Sequence, residues 1–332
     1  MTSGKTRWGK RIGIGTAALA VLLGGLFVAG RTPDIPVAVL RAKYGSPASR
    51  YITLEPGLTI HVRDEGRRDG LPLILLHGSN ASLHTWEPWV AALKDQYRVI
   101  TFDFPAHGLS GPVPSRDYSG DAYVRVTEKL VAHLGLHRFA LGGNSMGGGI
   151  AWRYAVAHPE QVAALILVDA SGKPVPQGSK PPLGFYLART PLLRDIAAII
   201  TPRSLMETSF KQSVSVQAIA TPAMIDRYWE LLRYPGNRQA TIDRFGSYSP
   251  PANTEKLRSL SMPALILWGA EDKLIPVSVA QWFSEMLPNA RVAILDGVGH
   301  IPMEEAPERA LAPVLPLLEA AAKAETPPLS AD

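Results

Sequence analysis

Six short stretches of the chain are apolar almost without interruption: LILL (73–76), VITF (99–102), FAL (139–141), ALILV (164–168), ALILW (264–268) and VAIL (292–295). A strand with one wet face alternates polar and apolar side chains, because successive residues point to opposite faces. Continuous apolarity over such short runs predicts strands covered on both sides. Helical patterns lie between them, at roughly 120–134, 146–157, 276–287 and 306–322. Strand alternating with helix predicts a mainly parallel sheet with helices on both faces. Upstream, YITL-EPG-LTIHVRD (51–64) reads as a hairpin turning at Pro56-Gly57. A chain of 332 residues, 46% hydrophobic, has ample material for one such core.

The rhythm stops between ALILV and ALILW. Residues 171–250 open on SGKPVPQGSKPP, continue with helical patterns near 185–200, 203–218 and 222–234, and carry no strand signal. An insertion of this kind predicts a helical cap over one end of the sheet, where the sites of α/β proteins lie. Phe210, Met224 and Trp229 are its apolar candidates for lining a substrate pocket.

Between the FAL strand and the next helix stands GGNSMGGG (142–149). Gly143-Asn144-Ser145-Met146-Gly147 fits G-x-S-x-G, and in a strand–turn–helix context that pattern is a nucleophile elbow. The serine sits on a strained turn that lifts its hydroxyl clear of the sheet. Strand and helix backbones then pass so close that side chains at 143 and 147 would clash, hence the glycines. Gly148 and Gly149 let the helix pack tightly.

A serine hydroxyl is a weak nucleophile and needs a base. Of eight histidines, His300 is placed best, on the glycine-bordered loop LDGVGHIP after the last strand. His133 and His137 have the spacing of a metal pair, but Gly135 between them marks a helix end, so no metal is expected. No cofactor is expected either. The imidazole in turn needs a carboxylate to fix its tautomer. Asp169 in LILVDASG and Asp272 in LILWGAEDKLIP both follow strands. Asp272 is preferred for its turn length past Gly269 and for the chain order Ser145…Asp272…His300, leaving Asp169 to order the junction with the insertion. The developing oxyanion needs amide donors. Met146, at the start of the elbow helix, supplies one. Ser79, in the strand-loop LILLHGSNAS, supplies the other, with Asn80 in reserve.

There is no cysteine, which excludes disulfides, thiolate metal sites and a thiol nucleophile. The net charge of +5 is misleading: residues 1–50 carry eight Lys/Arg against Asp34 alone, so the body is slightly acidic and nothing in it argues for nucleic-acid binding. Residues 12–30, IGIGTAALAVLLGGLFVAG, contain no charge and follow Lys5, Arg7, Lys10 and Arg11. Their length matches a bilayer core. They are expected to be a membrane anchor, or else a cleaved signal segment, after a basic tail at 1–11 and before a stalk at 31–50. Basic residues before the span place the rest of the chain outside the cytoplasm; secretion after signal cleavage is the alternative.

LLHGS, DFPAHGLS, GNSMGG, WGAEDKLIP and GVGHIPMEEAPE together resemble the α/β-hydrolase fold superfamily over about residues 51–322. The resemblance implies an α/β fold with an eight-stranded, mostly parallel sheet, helices on both faces and an inserted helical cap. The core would be 51–170 and 251–322, the cap 171–250, and 323–332 a tail. GNSMGGG is similar to carbon–carbon bond hydrolases of aromatic-ring degradation and to bacterial lipases. The N-terminal span with a cap resembles membrane-anchored monoacylglycerol lipases. The carbon–carbon hydrolases usually carry Arg where Ala270 stands, and dehalogenases and epoxide hydrolases require Asp in place of Ser145. The function expected is therefore hydrolysis of a small hydrophobic or lipidic carboxylic ester. The alternatives are a carbon–carbon bond hydrolase or acyltransferase on the same triad, and a non-catalytic binding module, which a broken triad would mark.

Overall fold

A computed structural model describes residues 25, 30–173, 190, 193–246 and 252–325. Eight strands form one sheet: β1 (Ser49–Glu55), β2 (Leu58–Gly66), β3 (Pro72–Leu76), β4 (Arg98–Phe102), β5 (Phe139–Asn144), β6 (Val162–Val168), β7 (Ala264–Gly269) and β8 (Ala290–Leu295). Their order is β1-β2-β4-β3-β5-β6-β7-β8. β1 and β2 are antiparallel to their neighbours, and the remaining pairs are parallel. The expected hairpin is β1–β2, with Gly57 at φ 81° in its turn.

The central strands justify their composition. Every residue of β5, β6 and β7 is buried. One face packs beneath Trp152, Phe139, Trp268 and Phe283, the other against Trp86, Trp89, Leu311 and Leu318. β8 departs from expectation. It is an edge strand, and Val292 and Ile294 are 44% and 41% exposed, so VAIL is covered on one side only. An apolar run alone does not distinguish an edge from the centre.

The helices are α1 (Val37–Tyr44), α2 (Glu87–Leu93), α3 (Gly120–His133), α4 (Met146–Ala157), α5 (Leu193–Ile199), α6 (Arg203–Ser213), α7 (Pro222–Leu232), α8 (Asn237–Gly246), α9 (Ser278–Met286), α10 (Pro302–Glu305), α11 (Pro307–Leu311) and α12 (Val314–Glu325). The single helix expected over 306–322 is broken into α11 and α12. Pro313, without an N–H, stands at the break. α12 also runs three residues into the expected tail. Between β6 and β7 the described residues hold α5 to α8 and no strand, so the insertion is helical there.

Residues 31–50 are not a free stalk. Thr32 donates to the Ile199 carbonyl at 3.0 Å and its hydroxyl accepts from the Thr201 N–H. Asp34 pairs with Arg238 at 2.6 Å. Leu40 of α1 is fully buried beside Leu109 and Leu231, and Lys43 and Tyr44 both bind Glu230. Pro36 stands at the N-cap of α1. The apolar run at 12–30 lies, apart from Gly25 and Gly30, outside the described residues. Among the described residues no helix is long and apolar enough to cross a membrane.

Candidate active site

The C-terminal ends of the parallel strands meet at Ser145. It follows β5 directly, at φ 53° and ψ −117°, and caps α4. Residues with a β-carbon rarely adopt this combination, but main-chain bonds fix it. Ser145 N–H donates to the Val168 carbonyl at 3.0 Å, and the Ser145 carbonyl accepts from Gly149 and Ser171 at 3.0 and 2.9 Å. A β-carbon at Gly143 would overlap the Gly147 carbonyl, and one at Gly147 would overlap the Leu76 carbonyl on β3. The glycines therefore permit the strand–helix approach that the turn requires.

His300 and Asp272 are joined. The Nδ1 of His300 lies 2.7 Å from Oδ2 of Asp272, and both residues are buried. The other carboxylate oxygen, Oδ1, accepts from the N–H groups of Leu274 and Ile275 at 2.7 and 3.0 Å. Asp272 therefore has no freedom to turn away. The Asp272 turn is tied to the His300 loop by Glu271 N–H to the Val298 carbonyl at 2.9 Å. Asn144, next to Ser145, donates its side-chain amide to the His300 carbonyl at 2.9 Å and so links the elbow to that loop.

The loop after β3 lies against the elbow: a β-carbon on Gly78 would come within 3.2 Å of Ser145 Cβ. His77 locks this turn. Its Nδ1 donates to the Gly78 carbonyl at 2.7 Å and its Nε2 accepts from Phe104 N–H at 3.0 Å. That pattern needs the neutral ring, and burial lowers its basicity accordingly. Ser79 and Met146, the expected amide donors, are bridged by a residue the sequence did not point to. Arg244 of α8 donates to Ser79 Oγ at 2.7 Å and to Met146 Sδ at 3.4 Å. A guanidinium thus flanks both proposed oxyanion donors. Asn80 takes φ 58° and also receives Arg244, at 3.4 Å.

Two adjacent glutamates in IPMEEAPE were also missed. Glu305 Oε1 accepts from Gly299 N–H, and its Oε2 accepts from Ser215 and Val216 N–H at 2.7 and 3.0 Å. Glu304 accepts from Thr85 and Tyr228 and pairs with Arg227 at 2.5 Å. With His300 N–H donating to the Ser213 carbonyl at 2.8 Å, these bonds clamp the insertion onto the His300 loop. Buried carboxylates require such partners, so a pair of Glu in a helix that packs on the core was the available signal.

The residues expected to line a substrate pocket pack within the insertion. Phe210 is buried against Tyr228 at a ring separation of 5.0 Å, and Trp229 donates to the Thr201 carbonyl beneath the Arg233 guanidinium. Met224 is half-buried and its sulfur accepts from Arg227. These contacts hold the insertion together. Asp169, Asp272 and His300 place ligand-type atoms within 4.8 Å of one another, but Asp272 and His300 spend theirs on each other and on backbone N–H groups.

A serine on a strand–helix elbow, set among parallel-strand ends that also carry a histidine–carboxylate pair, defines the α/β-hydrolase class. Residues 72–307 match the family described as alpha/beta hydrolase fold, and the chain belongs to it. It is 25% identical over 266 residues to a 2-hydroxymuconate semialdehyde hydrolase of a Pseudomonas species, covering 79% of this chain and 90% of that protein. Among solved structures, a thermophilic esterase from Thermogutta terrifontis matches with a TM-score of 0.70 at 25% identity, over 82% of this chain and 99% of its own. A bacterial membrane phospholipase A matches with a TM-score of 0.69 at 24% identity, over 94% and 99%.

Proposed function

We propose that the protein is a serine hydrolase of carboxylic esters. The observation that carries this reading is the 2.7 Å His300–Asp272 pair at the strand ends around the Ser145 elbow. Ser145 Oγ attacks the acyl carbon while His300 Nε2 takes its proton. The tetrahedral oxyanion is held by the Met146 and Ser79 amides. His300 then protonates the leaving alcohol, and the same base activates the water that clears the acyl-enzyme. Asp272 holds the imidazole in the required tautomer throughout.

A second reading has one structural observation in its favour. The named Pseudomonas relative is a 2-hydroxymuconate semialdehyde hydrolase, and the Arg244 guanidinium beside Ser79 is the kind of group that pairs with a carboxylate. Against it, Ala270 stands where carbon–carbon hydrolases usually carry Arg. A panel of p-nitrophenyl esters of rising chain length, run beside a vinylogous diketone acid, separates the two. Turnover of the esters with none of the diketone is expected; the opposite preference would replace the ester reading.

We also propose that residues 12–30 anchor the enzyme in a membrane, with the catalytic domain outside the cytoplasm. The uncharged run and its basic entry support this. Deleting residues 1–31 leaves the Thr32 to Ile35 bonds to the insertion in place, so the truncated enzyme is expected to be soluble and active. Full-length protein is expected to resist carbonate extraction. A mature N-terminus near residue 31 in the soluble fraction would mean a cleaved signal, and cytoplasmic activity of a C-terminal reporter would reverse the orientation.

A further inference from the structure

One more carboxyl lies among the strand ends. Asp169 directly follows β6 and is fully buried. Its φ is 44°, a left-handed conformation that a β-carbon makes costly and that glycine or asparagine fills more readily. Its N–H donates to the Leu267 carbonyl at 3.0 Å, and its Oδ1 accepts from Gly269 N–H at 3.0 Å. Among the described residues its Oδ2 has no hydrogen-bond partner. Yet Asp169, Asp272 and His300 crowd within 4.8 Å. A buried polar atom left unmatched is costly, and two carboxylates this close in a dry site do not both ionise.

The geometry says which of them holds the proton. Asp272 is committed as an acceptor: Oδ1 receives two backbone N–H groups and Oδ2 faces His300. Asp169 has a free oxygen. The groups that face it are Asp272 from the loop after β7, His300 from the loop after β8 and Glu305 from α10. Burial first, then the Asp272 charge, drive its carboxyl well above the usual range; the Glu305 charge adds to this, and the Gly269 N–H opposes.

We propose that Asp169 is a positioning residue of the triad: its Oδ2 hydroxyl donates to the Asp272 carboxylate and holds that carboxylate in line with the His300 imidazole. The bond satisfies the otherwise orphaned oxygen, and it explains why an aspartate occupies a left-handed position. The inference rests on Ser145, His300 and Asp272 being the working triad.

Two substitutions separate the donor from the fold. Asp169→Asn keeps a donor of the same shape. Asp169→Gly accepts the backbone angle and removes the donor. The readout is the rate at which a fluorophosphonate labels Ser145 in the full-length protein, followed against pH, because it needs no knowledge of the natural substrate. Asp169→Asn is expected to label at the wild-type rate with the acid limb unmoved. Asp169→Gly is expected to label about 10–100-fold more slowly, the usual range for losing a supporting hydrogen bond at a site. Its acid limb should move to higher pH, since an unbuttressed Asp272 favours the imidazolium.

Thermal unfolding tests separately whether Asp169 carries the proton. A carboxyl raised in the folded state contributes its full stability below the ordinary value of 3.8 and loses it as the pH rises. The wild type must take up a proton on folding, and Asp169→Asn need not. The Tm advantage of Asp169→Asn is therefore expected to widen between about pH 5 and 8. A constant Tm difference, with the acid limb of Asp169→Asn displaced to lower pH, would show an ionised Asp169 and overturn the proposal. So would wild-type labelling in Asp169→Gly. If Asp169→Gly does not fold, the Asp169→Asn measurements decide alone. Failure of the wild type to label at all would instead remove the triad reading, and the inference with it.

Discussion

Ser145→Ala is expected to abolish fluorophosphonate labelling and to lower kcat on any hydrolysed ester by about 10⁶-fold, the scale of losing a triad nucleophile. The fold should survive. The elbow is held by main-chain bonds from Val168, Gly149 and Ser171, none of which uses the hydroxyl. Ser145→Gly sharpens the test. It loses the same hydroxyl, but glycine accepts φ 53° and ψ −117° without the strain of a β-carbon. Its Tm is therefore expected to exceed that of Ser145→Ala. A stable, inactive Ser145→Gly would mean that the strain exists to present a nucleophile. Labelling that persists in either variant would put the reactive residue elsewhere.

The frame of the candidate site was legible because its sequence signals are local. G-x-S-x-G is read within five residues, and the strand before Ser145 and the helix after it follow from apolar periodicity over the next dozen. The His300–Asp272 pairing was legible from chain order, since both follow strands of one sheet. What could not be read is whatever depends on which surfaces meet. Glu305 and Ser215 are far apart in sequence, and only the folded chain shows that they clamp the insertion to the His300 loop. Arg244 looks like any polar residue of an amphipathic helix until α8 is laid over Ser79. The partners of Phe210 and Trp229 were hidden for the same reason: hydrophobicity marks burial but not what the side chain is buried against. Segment 31–50 was read as a stalk, when the informative residue was Leu40, an apolar anchor in a short helix.

Asp272→Asn is expected to lower kcat by about 10³–10⁴-fold with little change in KM, the effect of holding the catalytic histidine in the wrong tautomer. The surrounding bonds dictate why. The Oδ1 position must accept from the Leu274 and Ile275 N–H groups, so the amide oxygen of the variant is drawn there. The amide nitrogen is left facing His300 Nδ1, across the 2.7 Å contact now made by Oδ2. An amide donates at that point, so Nδ1 must become the acceptor and the ring proton moves to Nε2. Nε2 is the atom needed as a base toward Ser145, and a protonated Nε2 on a neutral ring cannot serve. The shape of the site is kept, so binding and stability should change little, and the loss should appear in kcat and in the labelling rate alike. Asp169→Asn provides the internal control. It introduces the same chemical change one carboxyl away, at a position already acting as a donor, and should leave kcat near the wild-type value. Steady-state kinetics on both variants decide between the two aspartates. A loss under about tenfold for Asp272→Asn, beside a collapse of activity in Asp169→Asn, would transfer the triad's acid to Asp169 and leave Asp272 as the support.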